Sequence, residues 1–339
     1  MSKVNLGVIG LGRMGKVYAY HAARHLPNAA LVAVADVRQE VTQEFAVQVS
    51  GVTTYADYHG LLNHPNLDAV IITTPTSTHK TVVLDAVGAG KHIFCEKPMS
   101  LTLGDTDRMV NTIEAAGILF QVGFMRRFDD GYRAAKQQID AGVIGQPVTI
   151  RSISRDPFRT SLEFANPAVS GGLIVDMAIH DLDLARWLMA DEVERVYAET
   201  ASLVYPELTT VGDADNAQIT LRFTRGGIGN VEVSRTAIYG YDIQTEVVGA
   251  QGTLQIGYLR QTPLTILTKG GVTHDVVPHF PQRFGKAYTS QIEHFADCIH
   301  RQSAPEVGAR DARAALQIAL AADRAAHEER VVYLSEITA

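Results

Sequence analysis

A glycine-rich segment between a predicted strand and a predicted helix is the first candidate for chemistry in this chain of 339 residues. The segment Gly10-Leu11-Gly12-Arg13-Met14-Gly15 follows an apolar run that ends at Ile9 and opens a helical pattern. Glycines at this spacing permit a tight turn, a close approach of backbone to a pyrophosphate, and close packing of helix on strand. The helix N-terminus adds N–H donors for the anion.

Glycine-rich turns are common, and an acidic residue further along the chain makes this one specific for a dinucleotide. Asp36 ends the second predicted strand about 20 positions after Gly15, where a carboxylate binds the adenosine ribose of a dinucleotide. The pair predicts a nicotinamide dinucleotide, and it favours NAD because a carboxylate repels the 2′-phosphate of NADP. NADP is the less favoured alternative, because Arg38 could pair with its 2′-phosphate. The alternative for Asp36 is an ordinary strand end or helix cap.

Two further segments follow strands whose carboxyl ends lie at the predicted ligand edge of the sheet. The first, Thr73–His79, offers hydroxyl groups to the cofactor, although Ser77 or Thr78 could instead cap the next helix. The predicted cofactor-binding residues are Gly10, Gly12, Arg13, Met14, Gly15, Asp36, Val37, Arg38, Thr73, Thr74, Pro75, Thr76, His79, Glu96 and Lys97.

The second segment, Glu96-Lys97-Pro98, ends the fifth predicted strand and brings an ammonium group to the same edge. Proline restricts the backbone of Lys97 and therefore the direction of its side chain. A solvated surface charge is the alternative. The acidic and basic pair Asp176 and His180 lies four positions apart in an apolar helix, so both can share one helix face.

Imidazole is the side chain best suited to acid–base catalysis near neutral pH. The alternative for Asp176 and His180 is a structural polar pair on a buried helix. Asp181 and Asp183 fall on other faces of the helix, and we assign them to solvation or helix packing.

The elements that must position these residues begin with alternating apolar runs and helical patterns, typical of βαβ units and a parallel sheet. We predict six strands in a doubly wound order, at Leu6–Gly10, Leu31–Asp36, Thr53–Tyr55, Ala69–Thr73, His92–Cys95 and Leu119–Gly123. The intervening helices are predicted at Met14–His25, Gln39–Val49, Tyr58–Leu62, Thr78–Ala89 and Gly104–Ala116.

The pattern changes after Phe124. Long β-rich segments between Val193 and about Val277 predict a mostly antiparallel sheet with helices on one face, followed by helices at Ser290–Arg301 and Ala309–His327. The predicted fold class is α/β, with a Rossmann domain over residues 1–124 and a substrate-binding and oligomerisation α+β domain over 125–304. Helices within about 305–339 could pack back on the first domain.

Composition excludes several classes of protein. Lys and Arg total 30 against 37 for Asp and Glu, and no basic block is present, so nucleic acid is not an expected partner. Cys95 and Cys298 are too few for a disulfide framework and lack metal-ligand spacing. The N-terminus lacks a secretion signal and no run reaches the ~18 apolar residues of a membrane span. We expect a cytoplasmic protein without membrane or metal partners.

The succession of GxGxxG, Asp36, Glu96-Lys97-Pro98, Gly123-Phe124-Met125-Arg126-Arg127-Phe128, and Gly171-Gly172 before Asp176-x-x-x-His180 resembles the Gfo/Idh/MocA family. The likeness runs through nearly the whole chain, and Ile238-Tyr239-Gly240-Tyr241-Asp242-Ile243-Gln244 resembles bacterial inositol 2-dehydrogenases in particular. The resemblance implies an N-terminal Rossmann domain, a C-terminal domain with a large open antiparallel sheet, and a homotetramer joined through that sheet.

The resemblance also implies a catalytic set of Lys97, Asp176 and His180, which belong to the substrate-binding residues as well. Lys97 would hydrogen-bond the reacting oxygen, and His180, oriented by Asp176, would accept its proton. Arg127 and Asp156 are candidates for holding ring hydroxyls, as is Tyr239. The alternatives are an Arg127 ion pair with Asp129 or Asp130, a plain turn at Asp156, and for Tyr239 an aromatic position on a strand in the interface.

These residues indicate NAD-dependent oxidation of a cyclitol, myo-inositol to 2-keto-myo-inositol. A scyllo-inositol dehydrogenase or a pyranose sugar (aldose) dehydrogenase of the same family is the alternative within the class. A dinucleotide-binding sensor without turnover is the alternative from another class, and the presence of an acid–base set argues against it.

Overall fold

The computed structural model describes residues 3–339. The chain divides into two compact units. The first takes in the chain up to Phe128 together with Lys286–Arg313 and Ala339, and the second consists of Asp129–Gly285 and Ala314–Thr338. The assignment of NAD binding to residues 1–124, and of substrate binding and oligomerisation to residues 125–304, stays a prediction.

The first unit contains a six-stranded parallel sheet in the order β3-β2-β1-β4-β5-β6, which confirms the predicted doubly wound arrangement. Its strands are β1 (Val4–Ile9), β2 (Ala29–Ala35), β3 (Thr53–Tyr55), β4 (Ala69–Ile72), β5 (His92–Cys95) and β6 (Phe120–Val122). Every residue of the central strand β4 is buried, as expected of a parallel sheet covered on both faces.

Five helices follow the strands of this sheet. They are α1 (Arg13–Arg24), α2 (Gln39–Gln48), α3 (Tyr58–Leu62), α4 (Thr76–Gly88) and α5 (Leu103–Ala116). Helix α5 shows why the ends fall where they do. The Thr102 side chain accepts a hydrogen bond from the backbone N–H of Asp105 at the N-terminus, and Gly117 takes a left-handed φ of 64° at the C-terminus.

The second unit contains a seven-stranded mixed sheet in the order β12-β11-β7-β10-β9-β8-β15 and a separate hairpin of β13 and β14. These strands are β7 (Pro147–Arg155), β8 (Val193–Ala201), β9 (Asn216–Phe223), β10 (Ile228–Ser234), β11 (Asp242–Gly249), β12 (Thr253–Gly257), β13 (Ile266–Thr268), β14 (Gly271–Thr273) and β15 (Val332–Tyr333). Only the pairing of β7 with β10 is parallel among the seven described strands, so the predicted mostly antiparallel sheet is confirmed.

Side chains on β7 alternate between the two faces of this sheet. Ile150, Ser152 and Ser154 are buried, whereas Arg151 between them is exposed. The remaining α-helices are α6 (Asp130–Asp140), α7 (Leu162–Ala165), α8 (Pro167–Ser170), α9 (Ile179–Met189), α10 (Phe280–Arg301) and α11 (Ala309–Glu328). Helix α9 packs on β7, which gives the sheet one covered face.

Two predictions about these helices need correction. Helix α10 begins at Phe280, ten residues before the predicted start at Ser290. Pro281 and Gly285 disguise the first turns, but proline is tolerated at a helix start, and the buried side chain of Phe284 anchors the segment. The sequence also predicts a loop from about Pro157 to Ser170, but this segment contains the two short helices α7 and α8.

Candidate active site

The glycine-rich turn between β1 and α1 has the geometry of an anion cradle. Gly10 has a φ of +91°, and a Cβ on Gly15 would lie only 1.8 Å from the Gly10 carbonyl oxygen, so this helix start can approach the strand only with glycine at position 15. A Cβ on Gly12 would meet no atom of residues 3–339 within 4 Å, so this glycine borders open space in the described part of the chain. The backbone is therefore accessible where helix α1 begins.

Asp36 lies directly after β2 and is 8% exposed. Its carboxylate accepts hydrogen bonds from the backbone N–H of Leu11 at 2.7 Å and from the backbone N–H and Nε of Arg38, both at 3.0 Å. Burial raises the pKa of Asp36, but the hydrogen bonds from Arg38 and Leu11 outweigh burial and hold that pKa below its ordinary value. The group is thus an ionised acceptor tied to the glycine-rich turn.

The segment after β4 is tied to the same turn. Thr73 donates from Oγ1 to the Gly10 carbonyl at 2.7 Å, and Thr78 donates to the Pro75 carbonyl at 2.7 Å. His79 is buried inside the unit, with Nε2 lying 2.9 Å from the Thr74 carbonyl oxygen and Nδ1 lying 3.0 Å from the Pro98 carbonyl oxygen. His79 therefore links the hydroxyl-rich segment to the segment that follows Lys97.

A buried network surrounds Glu96, just after β5. Tyr18 donates from its hydroxyl to Oε1 of Glu96, and the backbone N–H of Lys97 donates to Oε2 at 3.0 Å. The Gln291 side chain donates to the Tyr18 hydroxyl at 2.8 Å. Burial, and then the nearby Glu96 carboxylate, raise the pKa of Tyr18 well above its ordinary value. Lys97 is half-buried at the end of this network.

Glycine at position 123 explains how Glu96 fits beside β6. A Cβ there would lie 2.8 Å from Oε2 of Glu96. Tyr18 and Gln291 are functional candidates that sequence reasoning missed, since Tyr18 looks like an ordinary apolar-face residue of α1 and Gln291 lies far away in the sequence. Gly123 belongs to the sequence motif, but the need for glycine at this position, which is the space taken by the Glu96 carboxylate, is visible only in the structure.

Asp176 and His180 belong to the second unit. Asp176 lies in a π-helical segment, Ile174–Ala178, that continues directly into α9, and His180 is the second residue of α9. Such π-helical turns are frequent at functional sites. The Asp176 side chain is 24% exposed, with Oδ2 lying 3.9 Å from Nη2 of Arg235, and His180 is 9% exposed. Direct contact between Asp176 and His180 stays a prediction.

Asp181, next in the chain, is fully buried, so of the two alternatives predicted for it, solvation or helix packing, the structure shows packing. The Ser152 hydroxyl donates to Oδ1 at 2.6 Å, and the Ser154 hydroxyl donates to Oδ2 at 2.7 Å. Both serines lie on the covered face of β7, so the carboxylate joins α9 to the sheet. The alternation of serines on β7 is the signal that could have indicated this contact.

The candidate hydroxyl-binding residues have different surroundings. Arg127, in the first unit, is buried and donates to the Glu306 carbonyl at 3.3 Å and to Oδ1 of Asp311 at 3.1 Å. The alternative partner Asp129 accepts from Arg283 at 2.6 Å. Arg127 therefore has a structural ion pair, and a substrate contact for it stays a prediction.

In the second unit, the backbone of Asp156 bonds to Ser234 and Ala237, each within 3.0 Å. Tyr239 lies in a turn before β11 rather than in a strand, and it is 43% exposed. Its hydroxyl accepts from Nη1 of Arg155 at 3.0 Å and donates to Oδ2 of Asp242 at 2.9 Å. Roles for Asp156 and Tyr239 toward a substrate stay predictions.

Family models match both parts of the chain. Residues 4–124 match the oxidoreductase family with an NAD-binding Rossmann fold, and residues 132–255 match the GFO/IDH/MocA C-terminal domain. The chain belongs to the Gfo/Idh/MocA oxidoreductase family. The predicted family, the Rossmann fold and the oxidoreductase class are therefore confirmed.

Named relatives of this Gfo/Idh/MocA chain extend over nearly its full length. Myo-inositol 2-dehydrogenase of Thermotoga maritima is 36% identical over 98% of this chain and 99% of its own. The scyllo-inositol 2-dehydrogenase (NAD(+)) of Bacillus subtilis is 39% identical over 94% of this chain and 93% of its own. The crystal structure of scyllo-inositol dehydrogenase from Lactobacillus casei, with bound NAD(H) and scyllo-inositol, matches with a TM-score of 0.93 and 32% identity, over 98% of this chain and 100% of that one.

The NAD prediction is confirmed by the family model, and the residues present fit the cofactor. The open backbone at Gly12 suits a pyrophosphate, and the ionised carboxylate of Asp36 suits a ribose diol. Within residues 3–339, no helix has both the length and the apolar character required to span a bilayer.

Proposed function

We propose that this Gfo/Idh/MocA enzyme oxidises a secondary alcohol of a cyclitol with NAD, converting myo-inositol to 2-keto-myo-inositol. One observation carries the proposal. The chain is similar over nearly its whole length to proteins named inositol 2-dehydrogenases, and it has Lys97 after β5 and Asp176 and His180 around the start of α9.

The cofactor would be held by the glycine-rich turn and by Asp36, with Thr73–Thr76 and Glu96-Lys97 as further predicted contacts. NAD supplies the acceptor for the hydride that leaves the carbinol carbon. Asp36 would bind the adenosine ribose, and its carboxylate would disfavour the 2′-phosphate of NADP. Arg38 is hydrogen-bonded to Asp36, which leaves this cation neutralised while the carboxylate is present.

The acid–base roles belong to three side chains. Alkoxide character develops on the substrate oxygen as hydride leaves, so the Lys97 ammonium would donate a hydrogen bond to that oxygen and stabilise it. A neutral His180 would accept the hydroxyl proton, and the Asp176 carboxylate would orient the ring and stabilise the imidazolium that forms. The alcohol loses one hydride from carbon and one proton from oxygen, and a ketone results.

Recognition of the ring would fall to groups that hydrogen-bond hydroxyls. Asp156 and Tyr239 remain our candidates, together with Arg127. The relative from B. subtilis named for scyllo-inositol keeps that epimer as the second candidate substrate. A pyranose sugar is the third, because the acid–base chemistry is the same for any ring carbinol.

We also propose a cytoplasmic homotetramer joined through the uncovered face of the seven-stranded sheet. Arg151 on β7 and Gln218 on β9 are exposed on that face, whereas their neighbours along each strand are buried. Residues 125–304 would then serve substrate binding and oligomerisation, and residues 1–124 would bind NAD. Light scattering of the purified protein tests the tetramer, and a mass of one chain would contradict it.

The deciding experiment follows NADH absorbance with purified protein against myo-inositol, scyllo-inositol, other inositol epimers and aldoses. We expect the highest kcat/KM with myo-inositol and NAD. A preference for scyllo-inositol or an aldose would replace the substrate within the same chemistry. Binding of NAD without NADH formation from any of these alcohols would favour the non-catalytic sensor.

A further inference from the structure

A buried ion pair in the second unit has no role in the chemistry described above. Nη1 of Arg235, just after β10, pairs with Oδ2 of Asp213, in the loop before β9. Both side chains are 3% exposed. We call these two residues the Asp213–Arg235 clamp.

Each member of the clamp reaches the segment that carries Asp176. Oδ1 of Asp213 accepts the backbone N–H of Leu173 at 2.7 Å, immediately before the π-helical turn. Nη2 of Arg235 lies 3.9 Å from Oδ2 of Asp176. This buried Nη2 has no hydrogen-bond partner within residues 3–339, and the guanidinium pairs with Asp213 through Nη1 while it presents Nη2 to the carboxylate of Asp176.

The backbone around the clamp is itself fixed. The N–H of Arg235 donates to the Asp215 carbonyl at 2.8 Å, and the Asp215 carboxylate accepts the N–H groups of Val204 and Tyr205 at 2.7 and 2.8 Å. Gly172 has a φ of +70°, and a Cβ on it would lie 3.0 Å from Oδ1 of Asp213. Glycine at this position lets the Asp213 carboxylate approach the start of the helix.

A buried ion pair is weak evidence for stability, because removing two charges from water costs about as much as their attraction returns. The position of the Asp213–Arg235 pair is therefore more informative about its role than its contribution to stability. The clamp joins three chain segments at the one helical turn that presents Asp176, and the π-helical backbone there departs from the regular α-helix that follows.

We propose that Asp213 and Arg235 are positioning residues, which fix the turn of Leu173–Ala178 so that Asp176 is held in place to orient His180. The inference rests on the proposed function for the roles of Asp176 and His180. The clamp itself is defined by contacts inside the second unit.

The test compares Arg235→Met, Arg235→Lys and Asp213→Asn with Arg283→Met. Arg283 is a matched control, because it is also 3% exposed and pairs with a carboxylate, Asp129, in the same unit. We expect Arg235→Met to lower kcat for inositol oxidation by about 10- to 100-fold through misplacement of Asp176, with KM for NAD unchanged. Arg235→Lys should recover part of the loss, because lysine keeps the positive charge but lacks the two Nη groups that face Asp213 and Asp176.

A second readout does not depend on turnover. Hydrogen exchange of the intact chain, followed by mass spectrometry, should show faster exchange over residues 173–178 in Arg235→Met and in the nearly isosteric Asp213→Asn. The Arg283→Met control should keep wild-type exchange there and wild-type kcat per folded chain.

The outcomes separate the two proposals. Absence of wild-type NADH formation from every inositol and aldose removes the proposed function, and exchange then decides the clamp alone. If the wild-type protein is active and Arg235→Met has the same kcat, the positioning role of the clamp is contradicted. Hydrogen exchange over residues 173–178 at the wild-type rate in any folded clamp variant contradicts it as well. If Arg235→Met does not fold, Arg235→Lys and Asp213→Asn carry the same comparison.

Discussion

The backbone N–H of Leu11 donates a 2.7 Å hydrogen bond to Oδ2 of Asp36. The carboxylate that follows β2 therefore holds the turn that follows β1, and the same group is the predicted ligand of the cofactor ribose. Arg38 bonds to both oxygens of this carboxylate, which keeps it ionised and oriented. One carboxylate thus holds the glycine-rich turn, and its role in choosing between NAD and NADP is a prediction that can be tested.

Cofactor preference should change when this carboxylate is replaced. Asp36→Ala combined with Val37→Arg removes the charge that repels a 2′-phosphate, releases Arg38, and adds a cation at a position that is 88% exposed. We expect the ratio of kcat/KM for NAD to that for NADP to fall at least about tenfold. Steady-state kinetics with both cofactors measure it. Val37→Arg alone is the control and should still prefer NAD, and an unchanged ratio in the double variant would mean that the ribose is held elsewhere.

Loss of the imidazole should separate chemistry from cofactor binding. His180→Ala is expected to lower kcat by ~10²–10⁴ because the substrate proton loses its acceptor. The Kd for NAD, measured by fluorescence titration, should stay at the wild-type value, since His180 lies outside the NAD-binding part of the chain. His274→Ala, at an exposed histidine, should leave kcat unchanged. Near-normal turnover in His180→Ala would remove this residue from the mechanism.

The buried contact of Asp181 with two serines should behave as a unit. Asp181→Ala removes the carboxylate that both hydroxyl groups donate to, whereas the Ser152 hydroxyl keeps the Thr245 hydroxyl as a partner at 3.0 Å. We expect the free energy of unfolding to fall by about 3 kcal/mol. The double variant Ser152→Ala/Ser154→Ala leaves a buried carboxylate with fewer donors and should cost more. The triple variant should cost less than the sum of the two, because it leaves neither an orphaned charge nor orphaned hydroxyls. Urea denaturation measures all four proteins, and strict additivity would contradict a coupled network.

Stability should depend on pH through His79. Burial lowers the pKa of this imidazole below its ordinary value of 6.5, and the backbone carbonyls of Pro98 and Thr74 oppose that effect without cancelling it. Below about pH 6.5 the unfolded chain binds a proton that the folded chain resists, so the free energy of unfolding falls as pH falls, by at most ~1.4 kcal/mol per pH unit, until the folded pKa is reached.

The matched variant is His79→Gln, which keeps an amide donor but cannot titrate in this range. We expect a shallower decline of its free energy of unfolding between about pH 7 and pH 5 than in the wild type. Groups such as His21 and His92, whose pKa values burial also lowers, remain in both proteins and cancel in the comparison. Parallel pH profiles would show that His79 does not contribute.

The Rossmann sheet could be predicted from the sequence because its signals are local. Each strand is a short apolar run, and the strands at Thr53–Tyr55 and His92–Cys95 have the predicted bounds. The start of α10 was missed because Pro281 and Gly285 resemble a loop, and the hydrophobic contact that overrides them, at Phe284, depends on tertiary packing.

The candidate site divides in the same way. The glycine-rich turn, Asp36 and Lys97 could be located from motif spacing, because each follows a strand. Partners that lie far apart in the sequence could not be located so. Arg127 pairs with Asp311, and Asp181 bonds to serines on another element, because three-dimensional proximity rather than spacing decides which polar groups meet.

The hydrogen bond from Gln291 to Tyr18 has a consequence for biosynthesis. Tyr18 in turn holds Glu96, and the backbone carbonyl of Gln291 accepts the side-chain amide of Gln121, so residues of α10 complete the interior of the first unit. During translation the ribosome delivers the strands of β1–β6 long before α10 emerges. The nucleotide-binding unit must therefore wait as an incomplete nascent chain, and it closes its interior only after most of the other unit has been synthesised.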